Sequence, residues 1–167
     1  MIVDTHAHLD FPDYKSDLET VLSRAREANV GYIINVGTNL AASEKSVNLA
    51  SRYSNIYASV GIHPHDAAKV SDQTWQALES LANNPKVVAI GETGLDYYRN
   101  KSPHEDQQRV FSKHLSLAKA RNLPVIIHCR EASSDCLKIL NTYKNGVLKG
   151  VVHCFSGTEE VAKACLE

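Results

Sequence analysis

At 167 residues, 43% hydrophobic and with a formal net charge of −1, the chain can bury one sizeable core and offers no bulk charge to draw it to nucleic acid or membrane. No apolar run approaches the roughly 20 residues of a membrane span, and Asp4, His6 and His8 stand where a secretory signal needs a basic and then an apolar run. Four cysteines without Cys-x-x-Cys spacing read as small buried thiols of a reducing compartment, so a soluble, cytoplasmic protein is expected.

The predicted elements alternate strand and helix from one end to the other. Residues 2–9 open with a strand whose period of two puts His6 and His8 on one face, where two imidazoles can serve one divalent cation. A lone His-x-His pair can equally be a strand end without a ligand. Ser16-Asp17-Leu18-Glu19 has the form of a capping box, and Leu18, Val21, Leu22, Ala25 and Ala28 continue as a helical stripe closed by Asn29 and Gly31. Residues 32–36 form the second strand, and Gly37-Thr38-Asn39 leads into a helix through about residue 53. The third strand covers 56–62 and stops at Pro64; Trp75, Leu78, Leu81 and Ala82 mark the third helix. Pro85 precedes the fourth strand, 87–90. Ser102-Pro103-His104-Glu105 then supplies an N-cap, an N1 proline and an N3 glutamate for a long helix to Arg121. Strand five is 124–128, a helix follows over 134–143, strand six is 150–154, and residues 159–167 are again helical in character.

Six βα units in succession imply a parallel sheet with right-handed crossovers and both faces covered. An open doubly wound sheet gathers ligands only at a switch point in strand order, whereas a (β/α)8 barrel gathers them from many strand ends at one mouth. Three later strands each end in a residue that can bind metal: Ile90-Gly91-Glu92, Ile126-Ile127-His128 and Val151-Val152-His153. With His6 and His8, this constellation favours a TIM-type barrel, and no Gly-x-Gly-x-x-Gly turn follows the first strand to suggest a dinucleotide site. A full barrel takes about 250 residues. The expectation is therefore a single barrel domain over residues 1–167 with about six βα units, incomplete at its C-terminus, whose first and sixth strands offer unpaired apolar edges for oligomerisation.

Strand parity extends the reading to neighbours. Ile126, His128 and Arg130 share one face and Val125, Ile127 and Cys129 the other, so Arg130 stands one step above His128 toward the mouth. It can fork onto a phosphate or form a salt bridge at the following helix start. His63, fixed by Pro64, is read as a substrate or supporting contact ahead of His65. Asp4 shares the face of His6 and His8 and either orients one of them or sits as a polar residue below. Asp96, Tyr97 and Tyr98 fall in a mouth loop, where tyrosines can stack on bases or simply pack the loop. His104 and His114 are read as structural, and Cys129 and Cys154 point away from the ligand face.

These residues lie in the stretches Asp4-Thr5-His6-Ala7-His8-Leu9-Asp10, Gly61-Ile62-His63-Pro64-His65, Gly91-Glu92-Thr93-Gly94-Leu95-Asp96-Tyr97-Tyr98, Pro124-Val125-Ile126-Ile127-His128-Cys129-Arg130 and His153-Cys154-Phe155-Ser156-Gly157. By them the whole chain resembles the TatD family of metal-dependent deoxyribonucleases, within the amidohydrolase-like TIM-barrel metal hydrolases. The resemblance implies His6, His8, Glu92, His128 and His153 as ligands of two divalent ions (Mg2+, Mn2+ or Zn2+), with Glu92 bridging. It implies hydrolysis of DNA phosphodiester bonds, of 3'-5' exonuclease type on ends or single strands; by their positions at the mouth, His63, Arg130 and Asp96 are read as contacts to that substrate. The family pattern also includes an aspartate in a Thr-Asp-x-Pro-like motif after the last strand, and the sequence ends before such a position. Two other readings stand beside it: the same metal centre hydrolysing another ester or amide, such as D-aminoacyl-tRNA, or an inactive truncated fragment.

Overall fold

The computed structural model describes residues 1–143 and 148–166. Six strands, β1 (Ile2–Ala7), β2 (Val30–Val36), β3 (Ile56–Val60), β4 (Val87–Asp96), β5 (Val125–Arg130) and β6 (Gly150–Val152), form one sheet in sequential order. Every pairing is parallel. Helices α1 (Leu18–Glu27), α2 (Leu40–Arg52), α3 (Asp72–Leu81), α4 (His104–Arg121), α5 (Ser133–Asn141) and α6 (Glu159–Leu166) return the chain between and after them. This sequential parallel order is that of the first six units of a TIM-type barrel.

Alternation along the strands separates two apolar layers. Ile33, Ile56, Ile90, Val125 and Ile127 face the helices, where they meet Leu78, Phe111 and Leu115; Ile34, Val36, Ala89 and Ile126 form a smaller layer on the other side. Each large side chain fully removed from water contributes about 1.5–3 kcal/mol, which makes the helix-facing layer the main source of stability. β1 and β6 border the sheet, and Ile2, Val3 and Val151 on them are exposed, as the reading of apolar edges expects.

Most boundaries fall within two residues of the sequence reading, but three local features differ. β4 runs on to Asp96 rather than stopping near residue 90, so Glu92 lies within the strand and Asp96 closes it instead of falling in a mouth loop. The expected capping box of α1 is absent: Asp17 is the N-cap, without a side-chain bond, and Glu19 accepts the Tyr53 hydroxyl instead. Ser102 is not the cap of α4 either, because its hydroxyl is engaged elsewhere, accepting from Ala68 N at 3.1 Å and donating to His65 O at 2.9 Å. The expected helix to residue 143 ends at Asn141, and that expected to 167 is described to Leu166. Cys136 is buried and Cys129 half-buried, but Cys154 and Cys165 are exposed, which corrects the expectation of four buried thiols.

His114 has the structural role the sequence reading gave it. Its Nδ1 faces Val110 O at 2.7 Å, Ile62 N donates to its Nε2 at 3.0 Å, and Trp75 meets the ring edge-on. Burial pushes its pKa down to about 4. The unfolded chain therefore takes up a proton near pH 6.5 that the folded chain refuses until about 4, so stability present above 6.5 is lost as pH falls across that window. Urea unfolding at pH 7 and pH 4.5 is expected to show a loss that shrinks by about 1–3 kcal/mol in His114→Gln, whose amide has no such titration.

Candidate metal centre

Glu92 is the hub of the site. It is 4% exposed, and four imidazoles converge on its carboxylate: His6 Nε2 at 3.4 Å from Oε2, and His63 Nε2, His128 Nδ1 and His153 Nε2 at 3.7, 3.1 and 3.1 Å from Oε1. They arrive from four separate elements, since His6 is on β1, His63 follows β3, His128 is on β5 and His153 directly follows β6. Burial alone would raise the Glu92 pKa, but hydrogen bonds from His128 and His6 and the neighbouring imidazoles hold it far below the usual carboxylate range. Burial likewise pushes His63 down to about 4 and lowers His153 against the pull of Glu92. His128 also loses solvation, yet its bonds to Glu92 and Asp96 win and raise it.

A phase change in β4 brings Glu92 to this position. Ala89 belongs to the inner layer and Ile90 to the helix-facing one, so unbroken alternation would turn residue 92 toward the helices. The pairing of β4 with β5 shifts register between Ile90 and Thr93, and after it Leu95 faces the helices. Glu92, Gly94 and Asp96 consequently share the inner face. Gly94 pairs with His128, has φ +137°, and a Cβ there would lie 2.0 Å from the His128 carbonyl oxygen. Its bare backbone lets β5 come close enough for His128 to reach both carboxylates of β4.

Asp96 is the second anchor. It is buried, and its Oδ2 lies 3.0 Å from both His65 Nε2 and His128 Nε2, while Oδ1 accepts Arg99 N at 2.7 Å. Gln107 clamps its backbone, accepting Asp96 N at 2.7 Å and donating to Asp96 O at 3.2 Å. Asp96 thus holds two histidines of the cluster. His65, ranked below His63 in the sequence reading, belongs to the same cluster. Gln107 carries no local signal in the sequence, because its partner Asp96 lies 11 residues away and only its complete burial marks it.

His8 lies just beyond β1, its ring 5.1 Å from that of His6 and stacked on Phe11. Its Nδ1 is 3.1 Å from Val36 O. The loop carrying it is tied to β2 by Asn35, which accepts Leu9 N at 2.6 Å and donates to Asp10 at 3.0 Å and Ser46 at 2.7 Å. Asp4 is exposed and accepts the His6 backbone N–H at 3.1 Å, so it does not orient either imidazole. Arg130 is exposed, with its guanidinium carbon 4.1 Å from the centre of the Tyr98 ring, and among the described residues it forms no helix-start salt bridge.

The donor set suits a divalent cation. His6, Glu92 and His153, and separately His63, Glu92 and His128, offer ligand atoms within 4.8 Å of one another. The His6 and His153 rings stack at 3.9 Å with both Nε2 atoms turned to one carboxylate. His6 Nδ1 is buried without a hydrogen-bond partner among the described residues, a cost that a cation or acceptor at that nitrogen would relieve. Of the expected ligands, the structure thus gathers His6, Glu92, His128 and His153, with His8 adjacent to His6 but outside both groups.

Residues 3–167 match the family described as TatD related DNase. The chain is 41% identical over its full length to an uncharacterized metal-dependent hydrolase, YabD, of Bacillus subtilis, covering 66% of that protein. It is 37% identical over 98% of its length to the 3'-5' ssDNA/RNA exonuclease TatD of Escherichia coli K12, covering 63% of it. The crystal structure of YjjV, a TatD homolog from Escherichia coli K12, superposes with a TM-score of 0.91 at 37% identity, over 99% of this chain and 64% of that one. The chain thus spans just under two thirds of the length of the relatives it matches. Replacing Gly94 by Ala is expected to destabilise the fold by about 3 kcal/mol or more, because a backbone carbonyl cannot yield to the new Cβ. A lowered urea midpoint would register it; an unchanged midpoint would mean that β4 and β5 are not held so closely.

Proposed function

We propose, from the premise that this chain belongs to the TatD related DNase family, that its Glu92 centre serves a metal-dependent hydrolase that cleaves DNA phosphodiester bonds, of 3'-5' exonuclease type. The observation carrying this reading is the buried carboxylate ringed by four imidazoles from four elements. Relatives named as ssDNA/RNA exonucleases support the substrate class. His6, His8 and His153 would hold one divalent ion with Glu92, and His128 a second through the same carboxylate, whose two oxygens suit a bridge. Divalent ions held there would supply a water of lowered pKa and positive charge for the phosphate oxygens.

The chain's own side chains do the rest. Glu92 stays ionised, held so by its imidazole partners. Asp96 fixes the ring planes of His128 and His65, and His63 and Arg130, which has no carboxylate partner among the described residues, would meet the substrate. The charge a phosphate needs is therefore local to the centre, in a chain of net charge −1. The six βα units would belong to a single barrel-type domain, with the exposed apolar residues of β1 and β6 as candidate surfaces of association. Four free thiols suit a cytoplasmic setting, and no described helix is long and apolar enough to cross a membrane.

End-labelled single-stranded DNA, incubated with Mg2+, Mn2+ or EDTA, tests the proposal. Stepwise release of nucleotides from the 3' end is expected with metal and not with EDTA, and is expected to fall at least about 100-fold in His6→Ala/His8→Ala. Cleavage of an ester or amide substrate in place of DNA, or DNA cleavage indifferent to the double substitution, would overturn it.

A further inference from the structure

Backbone partners sort the imidazoles of this centre by where each carries its hydrogen. Val36 O can only accept, so His8 keeps its hydrogen on Nδ1, 3.1 Å away, and leaves Nε2 with a free lone pair. His63 is the reverse case. The backbone N–H of His65 can only donate, and it points at His63 Nδ1 from 3.2 Å, so that nitrogen is bare and the neutral ring carries its hydrogen on Nε2. The bond is built into the local fold. Pro64 has no N–H, so the His65 N–H is the first free donor of the 3-10 helix Pro64–Lys69, and the His63 ring caps it. The His63 backbone is fixed in turn, its N–H donating to Thr38 O at 2.7 Å.

Distance alone would admit His63 as a ligand, since it groups with Glu92 and His128. Binding a cation through Nε2 would move the hydrogen to Nδ1 and set two donors face to face where the cap now stands. We propose that His63 is a fixed hydrogen-bond donor of this centre and not a metal ligand, its Nε2–H meeting a phosphoryl oxygen of the bound nucleotide beside Glu92. The donor assignment stands on the structure alone; the phosphoryl partner rests on the nuclease reading.

Two arms of the test need no catalysis. In long-range proton–nitrogen spectra of the metal-free, 15N-histidine-labelled protein near neutral pH, the His63 signals are those that vanish in His63→Asn. They are expected to show a bare Nδ1 and a protonated Nε2, with His8 showing the opposite pattern. In Mn2+ titration calorimetry, His63→Ala is expected to stay within about threefold of wild-type affinity while His8→Ala loses about tenfold or more. His63→Asn, whose side-chain oxygen can still cap the 3-10 helix, repeats the measurement should the alanine variant unfold. A protonated Nδ1, or an affinity loss beyond threefold in a folded His63 variant, would overturn the assignment. With metal saturating, His63→Ala is expected to slow DNA cleavage by about 100–1000-fold through kcat; undiminished cleavage would overturn the phosphoryl contact. A wild-type protein that binds Mn2+ and cleaves no DNA would refute the nuclease reading, and the spectra and calorimetry would still decide the donor assignment.

Discussion

A carboxylate taken out of water is costly unless donors or cations surround it, and the organisation of this chain follows from how Glu92 meets that demand. Its neighbours are four imidazoles delivered by β1, β5 and the segments after β3 and β6. Removing any of these elements would leave the hub short of a partner, so the centre depends on the whole sheet rather than on one motif. A parallel sheet in sequential order brings all its strand ends to one side, and that geometry makes one carboxylate reachable from positions 6 and 153, at opposite ends of the sequence.

The supporting shell shows how the rings are aimed. Main-chain atoms of β2 and the loop after it reach three parts of the centre: Val36 O meets His8, Gly37 O accepts Glu92 N at 2.8 Å, and Thr38 O accepts His63 N. Asp96, locked by Gln107 and Arg99, sets the planes of His65 and His128. Burial and hydrogen bonding cooperate here. In a site of low dielectric a satisfied polar network is rigid, and rigid orientation is what ligand geometry requires.

Much of this was legible in the sequence. Ligand-type residues closing successive apolar runs pointed to the barrel-type order and to His6, Glu92, His128 and His153, which the structure brings together, and parity separated Ile126 and His128 from Ile127 and Cys129. Parity alone misplaces Glu92, because the slip between Ile90 and Thr93 is a property of how β4 pairs with β5 and leaves only two glycines as its trace. Capping motifs failed at Ser16 and Ser102 for a related reason: Ser102 and Glu19 found tertiary partners in Ala68 and Tyr53 that no local window contains. Gln107, Asn35 and His65 were invisible or undervalued because their importance lies in contacts 11, 26 and 31 residues away.

The central claim is that Glu92 is the carboxylate around which divalent ions assemble. Anomalous diffraction from crystals soaked in Mn2+ tests it most directly. The account predicts anomalous density within bonding distance of Glu92 together with His6 and His153, and its loss in Glu92→Gln. Anomalous density absent from the Glu92 carboxylate, or unchanged in that variant, would contradict it.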